Sequence, residues 1–231
     1  MVEMYHSQAQ WDNRTAPRIH EAFAQIHGTE RLWVSHDRVS INPPSRDPDA
    51  PESGLHWDHG IRLMSVEEAK AARPTPGSLQ GVLYLVDTPA ANGAFVCVAG
   101  FHKKLDDWLE TLPADGDDPA KQDLLALGTT RVGASAGDLV IWDSRLPHTA
   151  ALNRGDAPRV AQYITMSPAA EDQSLENRKG RIEWYEQRGA WAGKLEKEHE
   201  SGECATLTPL GKQLAGVEPW PPQEGQPLSR L

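Results

Sequence analysis

"GDLVIWDSRLPHTAALNRGDAPRVAQYI", residues 137–164, carries three short apolar runs separated by turn-forming clusters. "LVIW" follows a Gly-Asp turn, "HTAAL" follows "DSRLP", and "RVAQYI" follows "NRGDAP". Short runs rich in Val, Ile, Trp and Tyr, bounded by Gly, Pro, Asn and Asp, read as β-strands. Strands this short and this close together favour a barrel or sandwich over alternating βαβ units. Two residues interrupt the apolar pattern with chemistry of their own. His148 arrives just beyond the "LVIW" strand, and Arg159 opens the last strand of the stretch, eleven residues later.

Upstream, the same grammar continues. "SLQGVLYLVD" and "GAFVCVAG" read as strands joined by "TPAAN" in what looks like a hairpin connection, and "TTRVGAS" adds another. "RLWVSHDRVSIN" reads as an earlier strand, followed by the loop "PPSRDPDAPESG". Helices are expected before, within and after this core. One spans about 16–27, with Thr15 as its cap, Pro17 in its first turn, and Ile19, Ala22, Phe23 and Ile26 at helical spacing. Ser65 and Glu68 form a capping-box pattern for a short helix. "FHKKLDDWLETL" and "DPAKQDLLALG" read as two more, and a last helix is expected around 178–199 before a proline-rich tail. The expectation is about seven or eight strands in one domain over 1–231. Its core spans about 30–168, with a helical and Pro-rich extension over about 169–231.

Composition narrows the function. The net charge of -10 argues against nucleic acid or an anionic membrane as partner, since both call for basic patches. Neither a membrane-length apolar run nor a signal peptide is read, so a cytoplasmic location is expected. The two cysteines, Cys97 in an apolar run and Cys204 in a polar tail, indicate neither a disulfide framework nor a cysteine zinc site. Gly-rich phosphate loops, a G-x-S-x-G elbow and an H-E-x-x-H helix are all missing.

The remaining chemistry is in "GLHWDHGIRL", residues 54–63. On a strand, His56 and Asp58 point to one face, while Trp57 turns to the other and suits the core. A plain His–Asp hydrogen bond and a metal site both satisfy that pattern, and a chain of this composition would contain about half an H-x-D by chance. His148 adds a second imidazole. Two histidines and one carboxylate make the facial triad that binds Fe(II) and leaves positions open for oxygen chemistry.

H-x-D at 56–58, a long insertion, His148, and Arg159 eleven residues on resemble the Fe(II)- and 2-oxoglutarate-dependent oxygenases of the phytanoyl-CoA dioxygenase family. "NGAFVCVAGFHK" (92–103) is similar to that family's "G…PGSH" segment, and "AGDLVIWDSRLPH" (136–148) to its approach to the distal histidine. The resemblance covers roughly 30–168. It implies a mainly β fold with flanking helices, a double-stranded β-helix (a jelly-roll, cupin-like barrel), with Fe(II) held by His56, Asp58 and His148. It also implies 2-oxoglutarate and O2 at the open positions, with Arg159 on the distal carboxylate of the cosubstrate. Arginine suits that role because its planar fork matches a carboxylate and stays charged when buried. The other reading of Arg159 is an ion pair with Asp156.

The chain departs from the family pattern in having Ala150 where many members place a Ser or Thr hydroxyl, and "AGFH" in place of "PGSH". Asn42, Gln80 and Thr129 interrupt apolar strand patterns and are candidate substitutes for the missing anchor. Arg62, His102 and Trp142 are candidate pocket residues, and Arg145 flanks the distal histidine. His59 is not counted as a ligand. Related halogenating enzymes carry a small residue at the metal carboxylate, so Asp58 implies oxidation without halide. The implied activity is hydroxylation of a small organic substrate with release of succinate and CO2. The alternative is a non-catalytic protein of the same fold that binds a metal or small ligand.

Overall fold

In the computed structural model, residues 2, 4–47, 49–58, 60–72, 78–189 and 202–222 are described. The fold is mainly β with flanking helices, and the chain forms two compact units, 40–161 and 1–39 with 162–231.

Unit 40–161 is built on two sheets, in which the β3–β6, β4–β5 and β4–β7 pairs are antiparallel. The larger sheet runs in the order β2 (Val39–Asn42), β8 (Arg159–Tyr163), β3 (Leu79–Tyr84), β6 (Leu139–Asp143). The smaller runs β5 (Thr130–Val132), β4 (Phe95–Cys97), β7 (His148–Ala150). These are the two sheets of the expected β-helix, present as separate ladders rather than one closed barrel. The β3–β6 register sets Gln80 opposite Trp142 and Val82 opposite Val140. The alternation of side chains then puts Gln80, Val82 and Tyr84 on one face. The β4–β7 register sets Cys97 opposite His148 and Phe95 opposite Ala150.

The "TPAAN" segment is not a hairpin. β3 pairs with β8 and β6, whereas β4 pairs with β5 and β7, so residues 88–92 carry the chain from one sheet to the other. A bridge between Thr88 and Ala134 anchors the crossing. A hairpin signal is local, but pairing is decided by which buried faces meet, and here consecutive strands bury theirs in different sheets.

α3 (Val66–Ala72) starts at the expected capping box, with Glu68 Oε2 accepting from the Ser65 N–H at 2.8 Å. α4 (Leu105–Thr111) follows a 3-10 turn at Phe101–Lys103. Trp57 is fully buried among Phe101 and Trp108, with ring centroids 6.3 and 6.2 Å away, and its indole N–H donates to the Arg145 carbonyl at 2.9 Å. "DPAKQDLLALG" resolves into two 3-10 turns, Pro119–Lys121 and Leu124–Leu127, rather than one helix.

In the other unit, α1 (Gln8–Arg14) is a helix that the sequence reading did not anticipate, opened by a Ser7–Gln10 capping box. α2 (Pro17–His27) ends at Gly28, whose φ of 68° suits a residue without Cβ. Thr15 does not cap α2: its hydroxyl donates to Trp11 O at 2.7 Å and so completes α1. Ile19 and Phe23 are buried, but Ile26 is 56% exposed. "RLWVSHDRVSIN" is two strands, β1 (Leu32–Val34) and β2, and β1 pairs with β9 (Met166–Pro168). α5 (Leu175–Glu186) covers part of the expected 178–199 helix, and residues 190–201 lie outside the described ones. α6 (Pro209–Ala215) is a further unforeseen helix, capped by Thr208.

Gly93 sits at φ 76°, where an added Cβ would lie 2.5 Å from Asn42 Nδ2 and 3.3 Å from Asn153 Cβ. Asn42 Nδ2 donates to Ala151 O at 3.2 Å and Asn153 Nδ2 to Asn42 O at 2.8 Å, so these amides tie β2 to the turn after β7. Gly93→Ala is therefore expected to lower unfolding free energy by about 2 kcal/mol in a urea titration, through left-handed strain plus displacement of Asn42.

Candidate metal centre

The site begins with a backbone contact. The His56 N–H donates to His148 O and the His148 N–H to His56 O, both at 3.0 Å, forming an isolated antiparallel bridge. Directly opposed residues send their side chains to the same face. The two imidazoles accordingly lie with ring centroids 5.0 Å apart. The chain bends after Trp57, and Asp58 returns to the histidine side. Its Oδ1 is 3.5 Å from His56 Nε2 and its Oδ2 is 3.3 Å from His148 Nε2. One ligand atom from each of the three residues falls within 4.8 Å of the others, a grouping able to hold a metal ion.

Each donor is prepared by its neighbours. His148 Nδ1 donates its N–H to the Leu146 carbonyl at 2.9 Å, which orients the ring with Nε2 towards the cluster. His148 is also walled by Trp142 at 4.9 Å and Phe95 at 5.9 Å between ring centroids. Contacts with His148 first, and His56 next, hold the Asp58 carboxyl far below the usual carboxylate range, outweighing partial burial. The His148 side chain is only 7% exposed, whereas His56 and Asp58 are 45% and 39% exposed, so one donor is buried and two are partly open to solvent.

The other residues singled out from sequence fall in distinct places. Gln80 Nε2 donates to Asp58 Oδ2, and its Oε1 accepts from the Trp142 indole N–H at 3.1 Å. The Asn42 amide is engaged at Ala151, as above, and Thr129 is exposed ahead of β5. Arg62 is exposed on the 3-10 turn Gly60–Leu63, and His102 is half-buried with Nδ1 lacking a partner. Arg145 is paired with Asp143, Nη2 to Oδ2 at 2.8 Å and Nε to Oδ1 at 2.9 Å. His59 lies outside the described residues. Thr149, opposite Val96, faces away from the histidines.

Arg159 is 2% exposed, yet neither Nε nor Nη1 has a hydrogen-bond partner. Its guanidinium lies 5.2 Å from the centre of the Tyr84 ring, and no ion pair to Asp156 forms. Tyr84 is a residue that the sequence reading missed. It is fully buried, its hydroxyl accepts from the Phe95 N–H at 2.9 Å, and its ring supports Arg159. The available signal was its place four residues after Gln80 on one strand face.

A model of the phytanoyl-CoA dioxygenase (PhyH) family matches residues 3–161, more than half of the chain. The chain belongs to the phytanoyl-CoA dioxygenase family. Among curated relatives, a phytanoyl-CoA dioxygenase-like protein of Dictyostelium discoideum is 24% identical over 200 residues, covering 74% of this chain and 57% of the relative. The Ava biosynthesis cluster protein O of Aspergillus versicolor is 26% identical over 199 residues, covering 78% of this chain and 61% of the relative. The chain thus spans about three-fifths of the length of these relatives. Two solved structures share the fold. A hypothetical protein from Escherichia coli superposes with a TM-score of 0.69 at 18% identity, over 93% of this chain and 70% of that one. The non-heme alpha ketoglutarate dependent epimerase SnoN superposes with a TM-score of 0.50 at 22% identity, over 71% and 59%.

Fe(II) and 2-oxoglutarate are the cofactors of this family, and the residues present fit both. Two imidazoles and one carboxylate suit Fe(II), and a buried guanidinium without hydrogen-bonded partners suits an anionic cosubstrate. A buried cation awaiting a ligand destabilises the ligand-free protein. Arg159→Met is therefore expected to leave ligand-free protein at least as stable as wild type, by roughly 1 kcal/mol in thermal unfolding. A structural arginine with its own partners would instead lose about 3–5 kcal/mol on this change.

Proposed function

We propose that this chain, read as one oxygenase domain, is an Fe(II)- and 2-oxoglutarate-dependent oxygenase that hydroxylates a small organic substrate. The observation that carries the reading is the pairing of two separate features in one unit: the His56, Asp58, His148 cluster, and the buried, unmatched Arg159. The first alone suits several metals, and the second alone suits any anion. Together they call for a metal chelator with a distal carboxylate.

The residues divide the work. His56, Asp58 and His148 would hold the iron from one side, leaving the other side for cosubstrate and O2. Arg159 would bind the distal carboxylate of 2-oxoglutarate through its open Nε and Nη1. Gln80 and Tyr84 share one face of β3 four residues apart, roughly 13 Å along the strand at the usual rise. Arg159, packed over Tyr84, would then stand at the far end of that face from Gln80 and Asp58, a span that supports an extended five-carbon diacid and its contacts. Trp142 and Phe95, packed on the His148 ring, would supply apolar walls that keep water from that side. When loaded, the iron centre supplies O2-dependent oxidation of a C–H bond, coupled to conversion of 2-oxoglutarate into succinate and CO2. Protein side chains orient the substrate and keep water out, and the exposed faces of His56 and Asp58 mark the side from which it enters.

Anaerobic addition of Fe(II) and then 2-oxoglutarate to metal-free protein tests the reading. A weak visible charge-transfer band is expected in wild type and is lost in His148→Ala. In Arg159→Met, Fe(II) binding is expected to persist while 2-oxoglutarate affinity falls by about 100-fold or more, as for loss of a buried charge-assisted carboxylate contact. A wild-type protein that binds Fe(II) but gives no band with 2-oxoglutarate would sink the cosubstrate assignment.

A further inference from the structure

We infer that Trp142 and Gln80 form a positioning relay that fixes Asp58 as a single-oxygen ligand of the metal. The inference rests on the metal site proposed above and concerns how one of its ligands is aimed. Gln80 and Trp142 are register partners on adjacent strands, so the relay sits on the rigid part of the larger sheet.

The direction of the relay follows from what each group can do. An indole N–H only donates, so the Gln80 atom 3.1 Å from Trp142 Nε1 must be the amide oxygen. An ionised carboxylate only accepts, so the amide NH2 must face Asp58 Oδ2. Both neighbours demand the same amide orientation, and neither tolerates the flipped one. Gln80 therefore presents a donor to Asp58. With Oδ2 accepting from the amide, Oδ1 is the less engaged oxygen and the one better placed to take the ion. A carboxylate free to turn could take the metal with both oxygens and occupy a position that the cosubstrate or O2 requires. Trp142 touches the cluster twice, packing on His148 at 4.9 Å and setting the Gln80 amide. Neither Gln80 nor Trp142 needs to touch the metal or the substrate to do this, so both are positioning residues.

Co(II) serves as the probe, because its visible absorption reports coordination number and its affinity can be titrated without turnover. Gln80→Met keeps the side-chain volume and removes the donor. It is expected to weaken Co(II) binding about tenfold and to alter the visible bands, the usual effect of losing a group that orients a ligand. Trp142→Phe keeps an aromatic ring beside His148 but frees the Gln80 amide, and is expected to weaken binding about threefold through that amide. The decisive comparison is the double variant: in the Gln80→Met background, Trp142→Phe should change Co(II) affinity by less than about twofold. Equal effects of Trp142→Phe in both backgrounds, or unchanged affinity and bands in Gln80→Met, would overturn the relay while leaving the metal site standing. If Gln80→Met does not fold, as judged by circular dichroism, unchanged Co(II) affinity and bands in Trp142→Phe alone overturn it. Failure of the wild-type protein to bind Co(II) overturns the metal site, and the relay with it.

Discussion

Two backbone hydrogen bonds between residues 56 and 148 set the candidate metal centre of unit 40–161. They join segments that are remote in the chain, and they do so at the one register that puts both imidazoles on the same face. A slip of one residue would turn either histidine to the opposite side. The bridge also extends the smaller sheet by one strand position, since His148 pairs with Cys97 on its far side. Cys97 is buried there, and burial pushes its thiol above the ordinary range, so a neutral group lines the sheet beside His148. Asp58 follows from the same constraint: once His56 is paired and Trp57 is committed to the core, the next side chain has the cluster in front of it.

Charge is distributed along the site in a way that a finished, self-sufficient core would avoid. Asp58 is stabilised as an anion by two imidazoles and an amide, whereas Arg159 is buried without a counterion. The first arrangement suits a cation and the second an anion. A protein interior tolerates such an unmatched group where a ligand supplies the missing partner, since the desolvation penalty is otherwise uncompensated. Tyr84 links the two regions, its ring under Arg159 and its hydroxyl on the Phe95 backbone, while Phe95 stacks towards His148. Family membership and this electrostatic layout point in one direction, although they come from unrelated kinds of observation.

Much of the local structure was legible in the residues. The Ser65–Glu68 box opened α3 where its pattern said, and Gly28 closed α2. Misreadings arose where a local signal competed with a non-local one. "TPAAN" has turn chemistry, but the strands on either side bury their faces in different sheets. Thr15 is a good capping residue by type, yet the helix before it, invisible to apolar periodicity because it is short and polar, takes its hydroxyl. Gln80 and Asn42 were both conspicuous as polar interruptions of apolar strands. Their partners, Asp58 with Trp142 and Ala151, could not be read from position along the chain.

The sequence by itself determined the donor chemistry: two histidines, one aspartate and one arginine, with spacings that identify the family. Those are properties of residue type and order, and they survive any uncertainty about where strands begin. Tertiary structure decided the rest. It set which face each donor occupies, left Arg159 buried and unmatched rather than paired with Asp156, and gave Gln80 its two partners. These outcomes depend on register between strands distant in the chain, and register is settled only when buried faces pack against one another.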